Sequence, residues 1–183
     1  QNSPAVIIGA MLVAPLMAAI FGLSLGVVRG DLRLLRRAGS AALRGMLLAI
    51  AVGALLGLLI PAATPQSEIL SRTRPSLLDL GVALASGAAG AYALSRKGVS
   101  TALPGVAIAA ALVPPLATVG IGLSLGQGRI AGGALLLFLT NLVAIIAAGG
   151  LVFLLLGFRP LPGQEARTRV FRGGVIGTVL LLA

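Results

Sequence analysis

The sequence predicts an all-α fold: a polytopic transmembrane helical bundle, built as an inverted 3+3 repeat with two Pro-broken helices. Three observations carry that prediction. Of 183 residues, 58% are hydrophobic and only 10% charged, whereas a soluble domain is roughly a quarter charged to keep its surface wet. Several apolar stretches reach the ~20 residues needed to cross a hydrocarbon core. Residues one hundred apart also match in register over a stretch that begins at a proline.

The first span is Pro4–Val28. Asn2 or Ser3 suits the cap position and Pro4 the first helical turn, where its missing N–H does no harm. The second, Ala38–Ile60, follows an arginine cluster of Arg29, Arg33, Arg36, Arg37 and Arg44. The third, Leu77–Ser95, is slim, with Gly81, Gly87 and Gly90 among Ala83, Ala85, Ala88 and Ala89. It reads as a buried central helix or as a pore-lining one. Asp79, at its edge, reads as a cap near the interface or as a coupling carboxylate. The fourth span is Ala102–Gly126 and the fifth Ile130–Phe158, with Thr140-Asn141 in its middle. A sixth begins near Val170 and runs about 14 residues to Ala183, short for a crossing. That stop, and a start without Met, read as a piece of a longer protein.

Pro4 to Arg29 laid over Pro104 to Arg129 gives 14 identities in 26 positions without a gap. Pro4/Pro104, Pro15/Pro115, Ser24/Ser124 and Arg29/Arg129 fall in one register, and both copies contain Gly-Leu-Ser-Leu-Gly, at 22–26 and 122–126. The expected units are 1–98, with three helices, and 99–183, with two full helices and the start of a third. Copies three crossings apart enter the membrane from opposite sides, the inverted-topology construction of many secondary transporters.

The basic residues provide an independent test. If every span crosses, eleven basic residues fall on one side and only Arg72, Arg74 and Arg129 on the other. Re-entrant first and fourth spans would give eight against six. Positive residues collect in cytoplasmic loops, so full crossing is preferred, with the basic loops inside and Gln1 outside.

Proline lacks an N–H and clashes with the carbonyl four residues back. Pro15 is expected to free the carbonyl of Met11, and Pro114 with Pro115 those of Ala110 and Ala111. Such groups persist in a membrane only where protein or a water-filled cavity covers them. Both breaks fall near mid-depth, where restarting helix ends suit anions and freed carbonyls suit small cations. The competing reading is a pair of kinked helices packed for shape alone. Asn141 must find partners in hydrocarbon, either a ligand or another helix. The candidate substrate or ion site is therefore Met11, Ala14, Pro15, Ala110, Ala111, Pro114, Pro115 and Asn141. The glycine pairs Gly22/Gly26 and Gly122/Gly126 read as close-packing positions.

With no Cys and no His, and with Asp31, Glu68, Asp79 and Glu165 scattered, the sequence offers no paired acids, thiolate or imidazole. No enzyme, metal site or cofactor is expected. The net charge of +10 is explained by topology rather than nucleic acid.

Asn2-Ser-Pro-Ala-Val-Ile-Ile-Gly-Ala-Met-Leu-Val-Ala-Pro-Leu-Met and Leu103-Pro-Gly-Val-Ala-Ile-Ala-Ala-Ala-Leu-Val-Pro-Pro-Leu-Ala resemble the bacterial and archaeal membrane proteins grouped as domain of unknown function 389. The Asp79–Gly90 stretch and Thr140-Asn141-Leu142 are similar to that family too. The resemblance covers Asn2 to about Phe158. It implies a polytopic inner-membrane protein, often with a soluble domain before or after the membrane part. It implies no substrate and no catalytic residues.

The expected function is a small-solute or ion transporter or channel, with a midplane site between the two Pro breaks. The alternative is a non-transporting scaffold or sensor that anchors and oligomerises a soluble domain. The lipid bilayer, a small solute or ion and a second copy of the chain, as a dimer or other homo-oligomer, are the expected partners.

Overall fold

Helix α1, Pro4–Arg29, is the first of five helices in a computed structural model that describes residues 4–59 and 76–160, with side chains of the first stretch from residue 16 on. It begins at the proline expected in its first turn and ends at Gly30, whose φ of 70° closes the helix in the left-handed region. Helix α2, Leu32–Leu59, starts six residues earlier than hydropathy places the span, so the arginine cluster is helical. The reason is Asp31. Its Oδ1 accepts the backbone N–H groups of Arg33 and Leu34 at 2.9 and 3.0 Å, capping the helix ahead of its apolar part.

Helix α3 is Leu77–Ser95, α4 Ala102–Ser124 and α5 Gly128–Leu155. No strand occurs among the described residues. Four of the helices, α2 to α5, are long and apolar enough to cross a membrane. The molecule is a membrane-spanning helical protein. Its outward surface fits that solvent: Leu43, Leu47, Leu48, Leu55, Leu58 and Leu59 of α2 are all at least half exposed, a liability in water but not in lipid.

The packing register fixes helix directions. Leu16, Ala38 and Leu35 sit against Gly45, Gly22 and Gly26, so α1 and α2 run antiparallel. Gly53 lies on Ala117 and Gly57 on Ile121, so α2 and α4 run in the same direction. Gly122 meets Ala131 while Ala111 meets Asn141, which makes α4 and α5 antiparallel. Gly87 lies on the backbone of Ile145 and Gly90 on Ile108, so α3 runs with α5 and against α4. Successive helices therefore alternate in direction. Arg29, Arg33, Arg36, Arg37, Arg44, Arg96, Lys97 and Arg159 lie toward one end of the bundle and Arg129 lies at the other.

The core is a layer of Ile20, Phe21, Ile108, Leu112, Leu116, Phe138 and Ile145, with Phe21 edge-on to Phe153 at 6.3 Å. Ser24, with no exposed surface, donates its hydroxyl to the carbonyl of Ile146 at 2.9 Å and ties α1 to α5. Helix α3 is not enclosed on all sides by the described residues. Its small residues Ala83, Ser86, Gly87, Gly90 and Ala91 are buried, while Ala85, Ala89 and Tyr92 on the opposite face are exposed.

Two expectations are modified. The helix runs without interruption through Pro15 and through Pro114-Pro115, so neither rod is broken along its axis. What proline removes is one rung of the hydrogen-bond ladder. The repeated Gly-Leu-Ser-Leu-Gly is also treated differently in its two copies. At 22–26 it is helical and Val27-Val28 carries the helix on. At 122–126 the helix ends at Ser124 and Gly126 turns the chain with a φ of 66°, before Gln127-Gly128. The sixth apolar stretch and the proposed cap at Asn2 or Ser3 lie outside the described residues.

Candidate functional site

Pro115 has no N–H to offer the carbonyl of Ala111, one helical turn back. Asn141 takes over that role. Its Nδ2 donates to the Ala111 oxygen at 3.0 Å across the interface between α4 and α5. The bond also fixes the orientation of the amide, since the reverse would set two oxygens against each other. The remaining atom, Asn141 Oδ1, is buried and has no hydrogen-bond partner, in a residue only 2% exposed. A buried orphan acceptor of this kind is rare and calls for an explanation.

The other buried polar side chains satisfy themselves more simply. Thr118 donates to the carbonyl of Pro114 at 2.9 Å, Thr140 to Leu136 at 2.9 Å, and Ser86 to Val82 within its own helix. Ser124 likewise bonds back to Ile121. Of the polar residues inside spans, Ser24 and Asn141 are the ones that bond across helices.

Beside the Asn141–Ala111 contact lies a cavity of about 160 Å³, lined by Asp79 and Val82 of α3, Ala110, Ala111 and Pro115 of α4, and Leu137 and Asn141 of α5. Four of the eight residues nominated from the sequence meet there: Ala110, Ala111, Pro115 and Asn141. Pro114, next along α4, is not among the lining residues. It removes the helical donor to the carbonyl of Ala110 as Pro115 does for Ala111. Met11, Ala14 and Pro15 lie on the helical backbone of α1, and their side chains fall outside the described residues.

Sequence reasoning left Asp79, Val82 and Leu137 out of the site. Asp79 caps α3 as expected. Ser76 accepts from the Asp79 backbone at 3.1 Å, and the Asp79 carboxylate accepts from the Ser76 hydroxyl and N–H at 2.6 and 3.2 Å. Its level in the bundle differs from expectation. Since Gly87 lies beside Ile145 in a parallel pair, Asp79 comes level with Leu137. That is about 6 Å along the axis from Asn141 and about 14 Å in from the start of α5, at 1.5 Å per residue. The Ser-x-x-Asp cap is legible in the sequence. Its depth is not, because depth depends on which helices α3 packs against.

The resemblance read from the motifs is supported by comparison. The profile of the family described as "Domain of unknown function (DUF389)" matches residues 11–147. The chain belongs to the DUF389 family. It is also 30% identical over 186 residues to an uncharacterized protein of Methanocaldococcus jannaschii, an alignment that takes in all of this chain and 58% of the archaeal protein. The chain thus spans little more than half the length of that archaeal relative. No solved structure matches it. The matched region contains α2, α3, α4, the first part of α5 with Asn141, and every lining residue of the cavity.

Proposed function

We propose that this DUF389 protein moves a small solute or ion across the membrane, as a transporter or channel, and that the cavity between α3, α4 and α5 is its binding site. One observation carries this reading. Carbonyls that the prolines of α4 leave without helical donors converge with a buried amide on one partly open cavity, midway along α4 and α5. Asn141 is the fourteenth of 28 residues in α5 and Ala111 the tenth of 23 in α4. Backbone acceptors without donors are tolerated at such depth where they line a cavity, and transporters place their sites there.

The inverted repeat belongs to the same proposal. α1 and α4, the two proline-bearing copies, run in opposite directions, as an upside-down duplication of units 1–98 and 99–183 requires. The basic end of the bundle is assigned to the cytoplasm, in the inner membrane, on the charge asymmetry of its loops.

The test is flux through vesicles reconstituted with the full chain. Alkali cations, ammonium, chloride and small neutral solutes are each followed against protein-free vesicles. Flux of one of them is expected, and Val82→Trp, which fills the cavity, should abolish it. No flux of any solute across a well-folded reconstituted protein would overturn the proposal and favour an anchoring scaffold.

A further inference from the structure

We propose that the cavity binds a small monovalent cation, held by Asn141 Oδ1, the Asp79 carboxylate and the carbonyl of Ala110. This rests on the reading that the cavity is the functional site, and adds the class of its ligand. Three features of the lining point the same way. Asn141 gives one amide N–H to Ala111, and the polar atom it leaves buried without a partner is its acceptor, Oδ1. Ala110, on the cavity wall, carries a carbonyl from which Pro114 has removed the helical donor. Asp79 adds a carboxylate, which is acceptor-only when ionised. An anion would find oxygen facing oxygen here.

The charge count sets the valence. The described lining contains one acid, and no group of three His, Cys, Asp or Glu occurs among the described residues. Sites for calcium draw on several carboxylates, and zinc sites on nitrogen and sulfur. One carboxylate with neutral oxygens balances one positive charge, the condition for taking a bare charge out of water. Depth makes the balance matter. With α5, about 42 Å long, centred in a hydrocarbon core of ~30 Å, Asp79 lies about 8 Å inside the boundary. Ionisable residues at such depth pair with other groups and mark ion pathways.

The test is binding rather than flux, so its outcome is separable from that of the transport experiment. The purified chain is titrated calorimetrically with sodium, potassium, lithium and ammonium chlorides, with choline chloride as control. Saturable binding of at least one small cation is expected. It should weaken about tenfold or more in Asp79→Asn and in Asn141→Leu, and persist in Asp31→Asn, whose carboxylate caps a distant helix.

A second measurement guards against misfolded variants. The chain has no Cys, so Val82→Cys provides a single thiol on the cavity wall. A cationic methanethiosulfonate should modify it about tenfold faster than an anionic one. Adding Asp79→Asn should erase that preference, and the bound cation should slow the reaction. Heats equal to those of choline, tighter binding of calcium or magnesium, or a thiol that reacts equally with both reagents would each overturn the proposal. Binding without flux would retain the cation site and remove the transporter.

Discussion

The amide of Asn141 donates to the carbonyl of Ala111, the acceptor that Pro115 leaves without its helical donor. A gap in one helix is thus closed by a side chain of another, and the two positions should be energetically coupled. Asn141→Leu strands the Ala111 oxygen and is expected to cost about 1 kcal/mol, because it also removes the orphan Oδ1. Pro115→Ala returns an N–H to the helix. In that background the same Asn141→Leu change should cost less, with a coupling of about 0.5–1.5 kcal/mol. Equilibrium unfolding in detergent of the four members of the cycle measures it. Equal losses in both backgrounds would mean that Asn141 does not serve the proline gap.

Gly87 and Gly81 lie on the same helix and should respond oppositely to alanine. A Cβ on Gly87 would stand 2.7 Å from the Ile145 carbonyl oxygen and 2.8 Å from its Cα. Backbone cannot yield as a flexible side chain does, so α3 must move away from α5. A loss of about 1–3 kcal/mol is expected, the usual range for overpacking. A Cβ on Gly81 meets nothing within 4 Å among the described residues. Gly81→Ala should be neutral or stabilising by up to about 1 kcal/mol through helix propensity. Thermal unfolding followed by circular dichroism compares them directly, and similar shifts for both would contradict the α3–α5 register.

The prolines, the mid-span amide and the glycine-rich third span were legible in the sequence because each breaks a local rule of an apolar helix. Four nominated positions therefore fall on one cavity. Asp79 was legible as a cap and illegible as a lining residue. Its local signature says only that a helix begins there, while its level is set by the Gly87–Ile145 contact with a helix fifty residues on. The twin pentapeptides show the same limit. Gly22–Gly26 and Gly122–Gly126 are identical, but Val27-Val28 continues one helix where Gln127-Gly128 lets the other stop.

The start of α2 depends on a carboxylate that hydropathy ignores. Asp31 Oδ1 accepts from two N–H groups of the first turn, so Asp31→Ala should cost about 1 kcal/mol, and Asp31→Asn, an equally good cap, only a few tenths. The readout is denaturant unfolding of both variants beside the parent. A loss in Asp31→Asn as large as in Asp31→Ala would assign the effect to charge near the arginines rather than to the cap.

Alternating helix directions can be tested in cells, because a chain without cysteine gives no background to thiol reagents. Lys97→Cys lies in the exposed turn between α3 and α4, and Gly128→Cys begins α5 at an exposed position with open space around it. Only α4 and the turn after it separate the two. If α4 crosses the membrane, an impermeant maleimide must reach them from opposite sides. The positive-inside rule adds the expected sign, with the end carrying Arg33, Arg36, Arg37, Arg96 and Lys97 toward the cytoplasm. Gly128→Cys should therefore be labelled in intact cells from which any outer barrier has been stripped. Lys97→Cys should be labelled only after lysis or in inverted vesicles. The opposite pattern would reverse the orientation and leave the alternation intact. Labelling of both from one side would make α4 a re-entrant segment, and the two proline-bearing helices would then no longer oppose each other across the membrane.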